Sequence, residues 1–182
     1  PETWSKLLSG HSGLGPITLF DTTGFNVHVA CEVKDFQPER WLDAKEARRR
    51  DRYQQLAAVA AQEALTESGL TADQVQPERV GIIISAAIGG VSALEEAIPL
   101  VKAGQQRRMS PFAIPMLMSN GAAGLTGIDY GFQGPSFSVS SACASGADGI
   151  GIASMLIRAG VIDAAIAGAS EAAITPVGVA AF

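Results

Sequence analysis

An unbroken run of apolar residues, from Val80 to Ile84, constrains the fold more than any other segment of this chain. A strand with one face in water alternates apolar and polar residues, whereas a strand covered on both faces can be apolar throughout. The run is also far too short to cross a membrane, which takes about 20 residues as a helix. We therefore predict a strand over Val80–Ser85 that is buried on both faces.

The rest of the chain alternates between helical and extended patterns, which is typical of a layered α/β fold. Further strands are predicted at Val27–Val33, Ser136–Ser140 and Ala164–Gly168. Helices are predicted at Trp4–Leu8, Ala44–Ser68, Val91–Ala103 and Cys143–Ala159, with one or two helical pieces from Met116 to Tyr130. The helix after Cys143 is rich in glycine and poor in charge, so we expect it to be buried on all sides.

Composition and charge limit the class of protein. The chain has 182 residues, of which 47% are hydrophobic and 17% charged, as expected of one globular domain with its own core. The formal charge of −5 leaves no basic surplus for general nucleic-acid binding, and no signal-peptide pattern is present. Two cysteines do not suggest a disulfide framework. We expect a cytoplasmic protein that binds neither nucleic acid nor membrane.

Cys143 is the candidate nucleophile. It follows a short extended run that ends at Val139 and precedes a stretch rich in glycine and alanine, which places it at a predicted helix N-terminus. Unpaired backbone N–H groups and the helix dipole favour a thiolate there, and the thiolate is the reactive form. Cys31, in contrast, lies on the apolar face of the strand Val27–Val33, and we predict that it belongs to the core.

Several segments together resemble one known family. The segment from Gly134 to Gly146, which ends in Ser141-Ala142-Cys143-Ala144-Ser145-Gly146, resembles the nucleophile segment of the β-ketoacyl-acyl carrier protein synthases. Further segments resemble that family in order and spacing: Phe20–Thr22, Val33–Phe36, Ile88–Gly90, Met109–Phe112, and Thr175–Gly178 with Phe182. The likeness covers nearly the whole chain and is closer to the type II elongating enzymes than to type I.

The resemblance implies a fold and a reaction. The fold is the layered αβαβα arrangement of the thiolase-like superfamily. In the reaction, Cys143 takes an acyl chain from acyl carrier protein as a thioester, and malonyl-acyl carrier protein then loses carbon dioxide. The resulting enolate attacks the thioester to give 3-oxoacyl-acyl carrier protein, with the Cys143 N–H as one oxyanion donor. No metal or cofactor of its own is expected, because the phosphopantetheine arrives on the carrier protein.

The resemblance also implies that the chain is only part of such an enzyme. Residues 1–182 correspond to the N-terminal half of the fold, without the family's first strand and its C-terminal half, and the chain does not begin with methionine. In the family, two histidines of the second half polarise the malonyl carbonyl. His11 and His28 do not fall in those motifs, and we predict that both lie on the surface. By itself the chain is expected to be inactive in condensation.

By the same resemblance, four residues line the pocket of the bound acyl chain. Ile88 would lie beside Cys143, where its bulk limits chain length, although plain core packing explains Ile88 equally well. Phe112 and Phe182 would lie near the same tunnel, and the small side chain of Ala142 leaves room for the acyl chain.

Two basic clusters interrupt this acidic chain, the first formed by Lys45, Arg48, Arg49 and Arg50 and the second by Arg107 and Arg108. Such clusters are usually solvated helix faces. By resemblance, five of their residues face the acidic carrier protein: Lys45, Arg48, Arg49, Arg107 and Arg108. The resemblance further implies a homodimer of the full-length protein, in which the strand Ser136–Ser140 pairs with its symmetry mate.

Other functional classes have weaker support. The chain has no G-x-G-x-x-G after a strand for a dinucleotide, no G-x-S-x-G hydrolase elbow and no His/Cys spacing typical of a metal site. The favoured function is fatty-acid elongation. A polyketide ketosynthase, which shares the fold and nucleophile, stays open. A non-catalytic partner subunit of the same fold also stays open, although such subunits usually replace the nucleophilic cysteine that Cys143 retains.

Overall fold

Two compact units make up the computed structural model, which describes residues 2–71 and 74–182. The first unit takes in the chain up to Phe36 together with Ile174–Phe182, and the second unit is Gln37–Ala173. Cys143 and the segments that support it all lie in the second unit.

The first unit contains little regular structure. It consists of helix α1 (Glu2–Leu8), a two-stranded antiparallel ladder of β1 (Gly15–Pro16) with β2 (Val29–Ala30), and helix α8 (Pro176–Ala181). The predicted strand Val27–Val33 is thus reduced to two residues.

Cys31 is exposed, so the prediction that it belongs to the core was wrong. Alternation of apolar and polar residues predicts a buried face only if a second layer covers the strand, and a two-residue strand provides too little surface for that. His11 and His28 are both exposed, as predicted.

A parallel sheet of three strands forms the centre of the second unit. Its strands are β3 (Val80–Ser85), β4 (Ser136–Phe137) and β5 (Ala164–Ala169), in the order β4-β3-β5. β3 pairs with β5 along its whole length, whereas β4 pairs with β3 only through Ser136 and Phe137. For this reason β4 is shorter than the predicted Ser136–Ser140.

Six helices belong to the second unit within the part of the chain described. They are α2 (Ala44–Ala47), α3 (Arg52–Ser68), α4 (Val91–Lys102), α5 (Ala113–Leu117), α6 (Gly121–Tyr130) and α7 (Ser145–Arg158). Three short 3-10 turns accompany them at Pro38–Arg40, Pro77–Arg79 and Gln106–Arg108.

The predicted helix Ala44–Ser68 is in fact two helices, α2 and α3. The chain leaves the helical conformation at Asp51, which has an extended backbone (φ −64°, ψ 158°) and accepts the N–H of Tyr53. Gln54 completes a capping box, so α3 has its own N-terminus rather than continuing α2. The C-terminus of α3 at Gly69 (φ 64°) agrees with the prediction.

Helices cover both faces of β3, as its apolar run predicted. Successive residues of a strand point to opposite faces. On one face Ile82 and Ile84 pack with Tyr53 of α3 and with Ala122 and Ala123 of α6. All six residues of β3 are buried.

The other face of β3 packs against α7 at a glycine. A Cβ atom on Gly149 would lie 3.1 Å from Ser85 Oγ and 3.4 Å from the carbonyl oxygen of Ile83, so the absence of a side chain lets helix and strand approach closely. The layers are therefore α3 with α6, the sheet, and α7, which confirms the α/β prediction.

Burial of α7 is one-sided, which differs from the prediction. Its buried residues, Ser145, Gly149 and Ala153, recur every four positions and face the sheet. Ile150 is 56% exposed and Met155 is 63% exposed on other sides of the helix. Glycine and alanine in α7 therefore reflect close packing on one side only in this chain.

Candidate active site

Three loops that follow the parallel strands meet at one edge of the sheet. The N–H of Ser170, after β5, donates to the carbonyl oxygen of Ser85 at 3.1 Å. The hydroxyl of Ser140, after β4, approaches the carbonyl oxygen of Ala87 at 3.4 Å. Ligand sites of open α/β sheets lie at this carboxyl edge. Cys143 follows Ser140 by three residues, so it lies in the region where the fold class favours a site.

A tight turn between β4 and α7 carries Cys143. Ala142, just before it, has a φ of 52°, in the left-handed region that residues other than glycine rarely adopt. The hydroxyl of Ser145 accepts the N–H of Ser141 at 2.9 Å and donates to the carbonyl oxygen of Ala142 at 2.6 Å. Since Ser145 is only 2% exposed, water does not compete for these bonds. Cys143 itself is exposed.

The helix after Cys143 begins two residues later than predicted. α7 starts at Ser145, with Ala144 as its N-cap, whereas the sequence predicted a start at Cys143. A hydrogen bond from the Ser141 hydroxyl to the Asp148 carboxylate ties the turn to the first turn of the helix. Cys143 therefore lies just before α7, held from both sides of the turn.

Ile88 lies in the loop between β3 and α4, one residue after the Ala87 carbonyl that Ser140 approaches. It is 48% exposed in this chain, so plain core packing does not explain it here. Its N–H donates to Glu171 Oε2 at 2.9 Å. The structure thus brings Ile88 and Ala142 to the same edge of the sheet as Cys143, and their role in an acyl pocket stays a prediction.

A buried carboxylate, Asp51, lies behind the Ile88 loop. It is 3% exposed and accepts the N–H of Tyr53 at the start of α3 and the N–H of Ala93 at the start of α4, both at 3.2 Å. Burial raises the pKa of this carboxyl above its ordinary value. The two N–H donors oppose that rise, and the negative charges of Glu96 and Glu171 add to it.

The two basic clusters are joined by an aromatic contact. The guanidinium of Arg49 lies 4.8 Å from the ring centroid of Phe112, which is half-buried. Arg49 also forms an ion pair with Glu46 at 3.0 Å. Phe112 follows Arg108 by four residues, so this contact links the α2–α3 corner to the segment that carries the second cluster.

The remaining basic residues predicted to bind the carrier protein are exposed: Lys45, Arg48, Arg107 and Arg108. Arg108 donates to Gln105 Oε1 at 2.7 Å and lines a pocket of about 220 Å³ between α4 and the segment that leads into α5. Glu96 and Met116 line the same pocket.

Arg50, from the same basic run, does not belong to this surface. Its side chain is 2% exposed and donates two hydrogen bonds to the Asp129 carboxylate, at 2.8 Å and 2.7 Å. These bonds raise the pKa of the Arg50 guanidinium above its ordinary value. Arg50 thus fixes the start of α3 to α6, and the α2–α3 corner is held in place from inside.

Phe182 belongs to the first unit, where it follows α8 and is 94% exposed. Its place in the acyl pocket stays a prediction.

Among the described residues, no group of three or more His, Cys, Asp or Glu side chains could hold a metal ion. Within the same residues, no helix combines the length and the apolar character needed to cross a membrane.

Three supporting residues were not identified from the sequence. A signal existed for Asp51, since Asp51-Arg52-Tyr53-Gln54 has the spacing of a capping box. No comparable sequence pattern pointed to Ser145 or Glu171. Ser145 bonds to the turn before its helix, and Glu171 bonds to a loop that is 83 residues away in sequence.

Comparison with known proteins gives one consistent family. The family model that matches residues 1–182 is described as Beta-ketoacyl synthase, N-terminal domain. A 3-oxoacyl-[acyl-carrier-protein] synthase 2 of Synechocystis sp. is 40% identical over 181 residues, which is 100% of this chain and 44% of that protein. One of Staphylococcus aureus is 41% identical over 180 residues, which is 99% of this chain and 45% of that protein. The chain thus spans less than half the length of these relatives.

Solved structures agree with this assignment. The ishigamide ketosynthase/chain length factor matches with a TM-score of 0.87 and 29% identity over 98% of this chain and 44% of that one. A type II polyketide ketosynthase in complex with its acyl-carrier protein matches with a TM-score of 0.75 and 27% identity, over 79% and 42% of the two chains. From the family match over its full length and these thiolase-like neighbours, the chain belongs to the β-ketoacyl synthase family, of which it forms the N-terminal domain.

Proposed function

We propose that the complete protein containing this chain is a 3-oxoacyl-acyl carrier protein synthase of fatty-acid synthesis. In the first step the Cys143 sulfur displaces the phosphopantetheine thiol of an acyl carrier protein and becomes the acyl thioester. In the second step malonyl-acyl carrier protein loses carbon dioxide, and the enolate carbon attacks the thioester carbonyl. The new carbon–carbon bond gives 3-oxoacyl-acyl carrier protein and returns the Cys143 thiolate as the leaving group.

The observation that carries this proposal is the turn around Cys143. An exposed thiol at the carboxyl edge of a parallel sheet, on a turn fixed by the buried Ser145 hydroxyl, is suited to attack a substrate that arrives from solvent. The residues that would activate the malonyl group are expected in the rest of the protein, so the function is proposed for the complete enzyme and not for residues 1–182 alone.

Fatty-acid synthesis is favoured over polyketide synthesis by the relatives. The curated relatives at 40–41% identity are named 3-oxoacyl-[acyl-carrier-protein] synthase 2. The polyketide-type structures are less similar, at 27–29% identity. A polyketide ketosynthase is therefore the second candidate. The thiol of Cys143 argues against a non-catalytic subunit, which would not need a nucleophile.

Acyl carrier protein is the proposed partner, and phosphopantetheine enters with it. The exposed basic residues of the two clusters supply positive charge on a chain whose net charge is −5. Met116, which lines the pocket beside Arg108, packs closely against Gly90, and Gly90 is two residues from Ile88. Contacts within the second unit therefore connect the basic surface to the loop beside Cys143.

A homodimer paired through β4 is also part of the proposal. β4 is an edge strand of its sheet within the residues described, so its outer edge is available for a second copy. A complete protein that light scattering finds to be a monomer would contradict this pairing. We also propose a cytoplasmic location, which the two free cysteines of this chain support.

The experiment that tests the function is acylation of the complete enzyme by acyl carrier protein, followed by mass spectrometry. We expect the acyl group on Cys143, and we expect Cys143→Ala to abolish both acylation and condensation. Cys31→Ala is the matched control, because Cys31 is the other cysteine of residues 1–182, is also exposed, and lies outside the second unit. It should retain most of the activity.

Two outcomes would contradict the proposal. An acyl group found on Cys31 would exclude Cys143 as the nucleophile. Condensation that persists in the Cys143→Ala variant would exclude covalent catalysis by this residue altogether. A wild-type preference for polyketide intermediates over saturated acyl chains would favour the second candidate instead.

A further inference from the structure

Glu171 connects two loops at the carboxyl edge of the sheet that are far apart in sequence. It follows β5 in the chain, and its Oε2 accepts the N–H of Ile88 at 2.9 Å across 83 residues. Its other oxygen, Oε1, accepts the N–H of Ala172 at 3.2 Å. The position of the Ile88 backbone therefore depends on a carboxylate of a different loop.

The loop that supplies this carboxylate is itself fixed. The N–H of Ser170 donates to the carbonyl oxygen of Ser85 at 3.1 Å, and the Ser170 hydroxyl donates to the carbonyl oxygen of Tyr53 at 2.8 Å. Glu171 is the next residue, so it extends from a backbone that is anchored to β3 and α3. Because the backbone before it is anchored, the Glu171 carboxylate can hold the N–H of Ile88 in one position.

The far end of the Ile88 loop is anchored as well. Gly89 has a φ of +92°, and a Cβ atom there would lie 2.7 Å from the carbonyl oxygen of Leu117. Gly90 donates its N–H to the same oxygen at 3.3 Å, and Ala93 donates to Asp51 Oδ2 at 3.2 Å. These contacts restrict the loop after Ile88, while Glu171 supplies a side-chain hydrogen bond to the N–H of Ile88 itself.

From these contacts we propose that Glu171 is a positioning residue that sets the acyl chain length accepted at Cys143, by fixing the backbone of Ile88. The inference rests on the proposed function. In this chain the Ile88 side chain is 48% exposed, so within residues 1–182 little packing holds it and its place depends mainly on its backbone. Without the carboxylate the loop can relax, and Ile88 can yield to a longer acyl chain.

The test compares kcat/KM of the complete enzyme for a long and a short acyl-acyl carrier protein. Glu171→Ala should raise the long-to-short ratio of kcat/KM by about tenfold, mainly through the acylation step. Glu171→Gln should keep the wild-type ratio, because its amide oxygen can still accept the N–H of Ile88. Glu63→Ala removes an exposed carboxylate from α3 and should leave the ratio unchanged.

A double-mutant cycle separates positioning from general destabilisation. If Glu171 acts through Ile88, Glu171→Ala should add little to the ratio in an Ile88→Ala background, since the side chain it positions is gone. Additive effects of the two substitutions would overturn the proposal. If Glu171→Ala does not fold, Glu171→Asp replaces it, because its carboxylate is one methylene shorter and withdraws from the N–H of Ile88.

Failure of this inference is distinguishable from failure of the proposed function. Acylation at Cys143 together with an unchanged ratio in Glu171→Ala would overturn only the role of Glu171. If the wild-type enzyme carries no acyl group on Cys143 after incubation with acyl carrier protein, the proposed function itself is overturned. If Glu171→Gln changes the long-to-short ratio of kcat/KM as much as Glu171→Ala does, the charge matters and not the hydrogen bond to Ile88. That result would also contradict the proposal.

Discussion

At the scale of single residues, the buried hydroxyl of Ser145 fixes the turn that carries Cys143, the proposed nucleophile. A residue other than glycine in the left-handed region, such as Ala142, costs about 1–2 kcal/mol. The Ser145 hydroxyl stabilises this conformation with two hydrogen bonds: it accepts the N–H of Ser141 and donates to the carbonyl oxygen of Ala142. Each such bond contributes about 0.5–1.5 kcal/mol, so together they offset the cost of the turn.

Ser145→Ala should therefore slow the acylation of Cys143 by about tenfold or more, because a small displacement of the nucleophile has a large effect on rate. It should also lower the free energy of unfolding by about 1–3 kcal/mol. Rapid-quench acylation and chemical unfolding of the complete enzyme measure the two effects.

Ser145→Thr keeps the hydroxyl and should recover most of the acylation rate. Ser154→Ala serves as the control, because it removes a hydroxyl from the same helix more than two turns away from Cys143. An Ala variant of Ser145 with a wild-type acylation rate would show that the turn holds its shape without this residue.

At the scale of elements, one carboxylate accepts backbone N–H groups in the first turns of two helices. Asp51 caps α3 through Tyr53 and also accepts the N–H of Ala93 in the first turn of α4. An N-cap contributes about 0.5–2 kcal/mol, so Asp51→Ala should destabilise the complete protein by about 1–4 kcal/mol. Asp51→Asn keeps an acceptor oxygen and should cost less. Chemical unfolding of both variants measures the difference.

Because burial raises the pKa of Asp51, the contribution of Asp51 to the free energy of unfolding depends on pH. The folded state holds the Asp51 proton more tightly than the unfolded chain, whose carboxyl titrates near 3.8. As pH rises from that value through the raised pKa, the folded state binds more protons than the unfolded state, and the contribution of Asp51 to stability falls.

The Asp51→Asn variant has no such proton, so its free energy of unfolding should improve relative to wild type as pH rises above about 4. Unfolding curves at several pH values test this, since the other groups titrate equally in both proteins. A difference that is constant with pH, or that changes in the opposite direction, would contradict the effect of burial on Asp51.

At the scale of the whole molecule, the proposed docking of an acidic acyl carrier protein predicts an effect of surface charge. The chain carries a net charge of −5, so the exposed clusters supply local positive charge that can attract such a partner. Reversing Arg107 and Arg108 to Glu together should raise KM for acyl-acyl carrier protein by roughly three- to tenfold, since each exposed pair contributes only about 0–1 kcal/mol. The increase should be larger at low salt, where screening is weak.

Turnover of a small acyl thioester without the carrier protein should stay nearly unchanged in the same variant. Arg158→Glu, which reverses a charge in the last turn of α7, is the control and should leave KM near wild type. Equal losses with both substrates would mean that Arg107 and Arg108 support the fold. No loss with either would mean that the carrier protein binds elsewhere.

Local patterns in the sequence were enough to predict the elements that depend on local forces. The apolar run of β3, the glycine that ends α3 and the change from strand to helix around Cys143 all follow from periodicity and from the conformations that single residues favour. The β3 strand and both of its covered faces agree with the structure, and so does the end of α3 at Gly69. The position of Cys143 before a helix made it a candidate nucleophile, and the family resemblance added its predicted acylation by acyl carrier protein, which periodicity alone does not give.

Only the tertiary structure decided which distant groups meet. Arg50 and Arg49 are neighbours in one basic run, yet Arg50 is buried against Asp129 while Arg49 stacks on Phe112. Glu171 reaches Ile88 because β3 and β5 are adjacent in the sheet, an order that their sequences do not state. A residue's own preferences act over one or two turns, whereas burial and pairing depend on the surfaces that the rest of the chain brings to it.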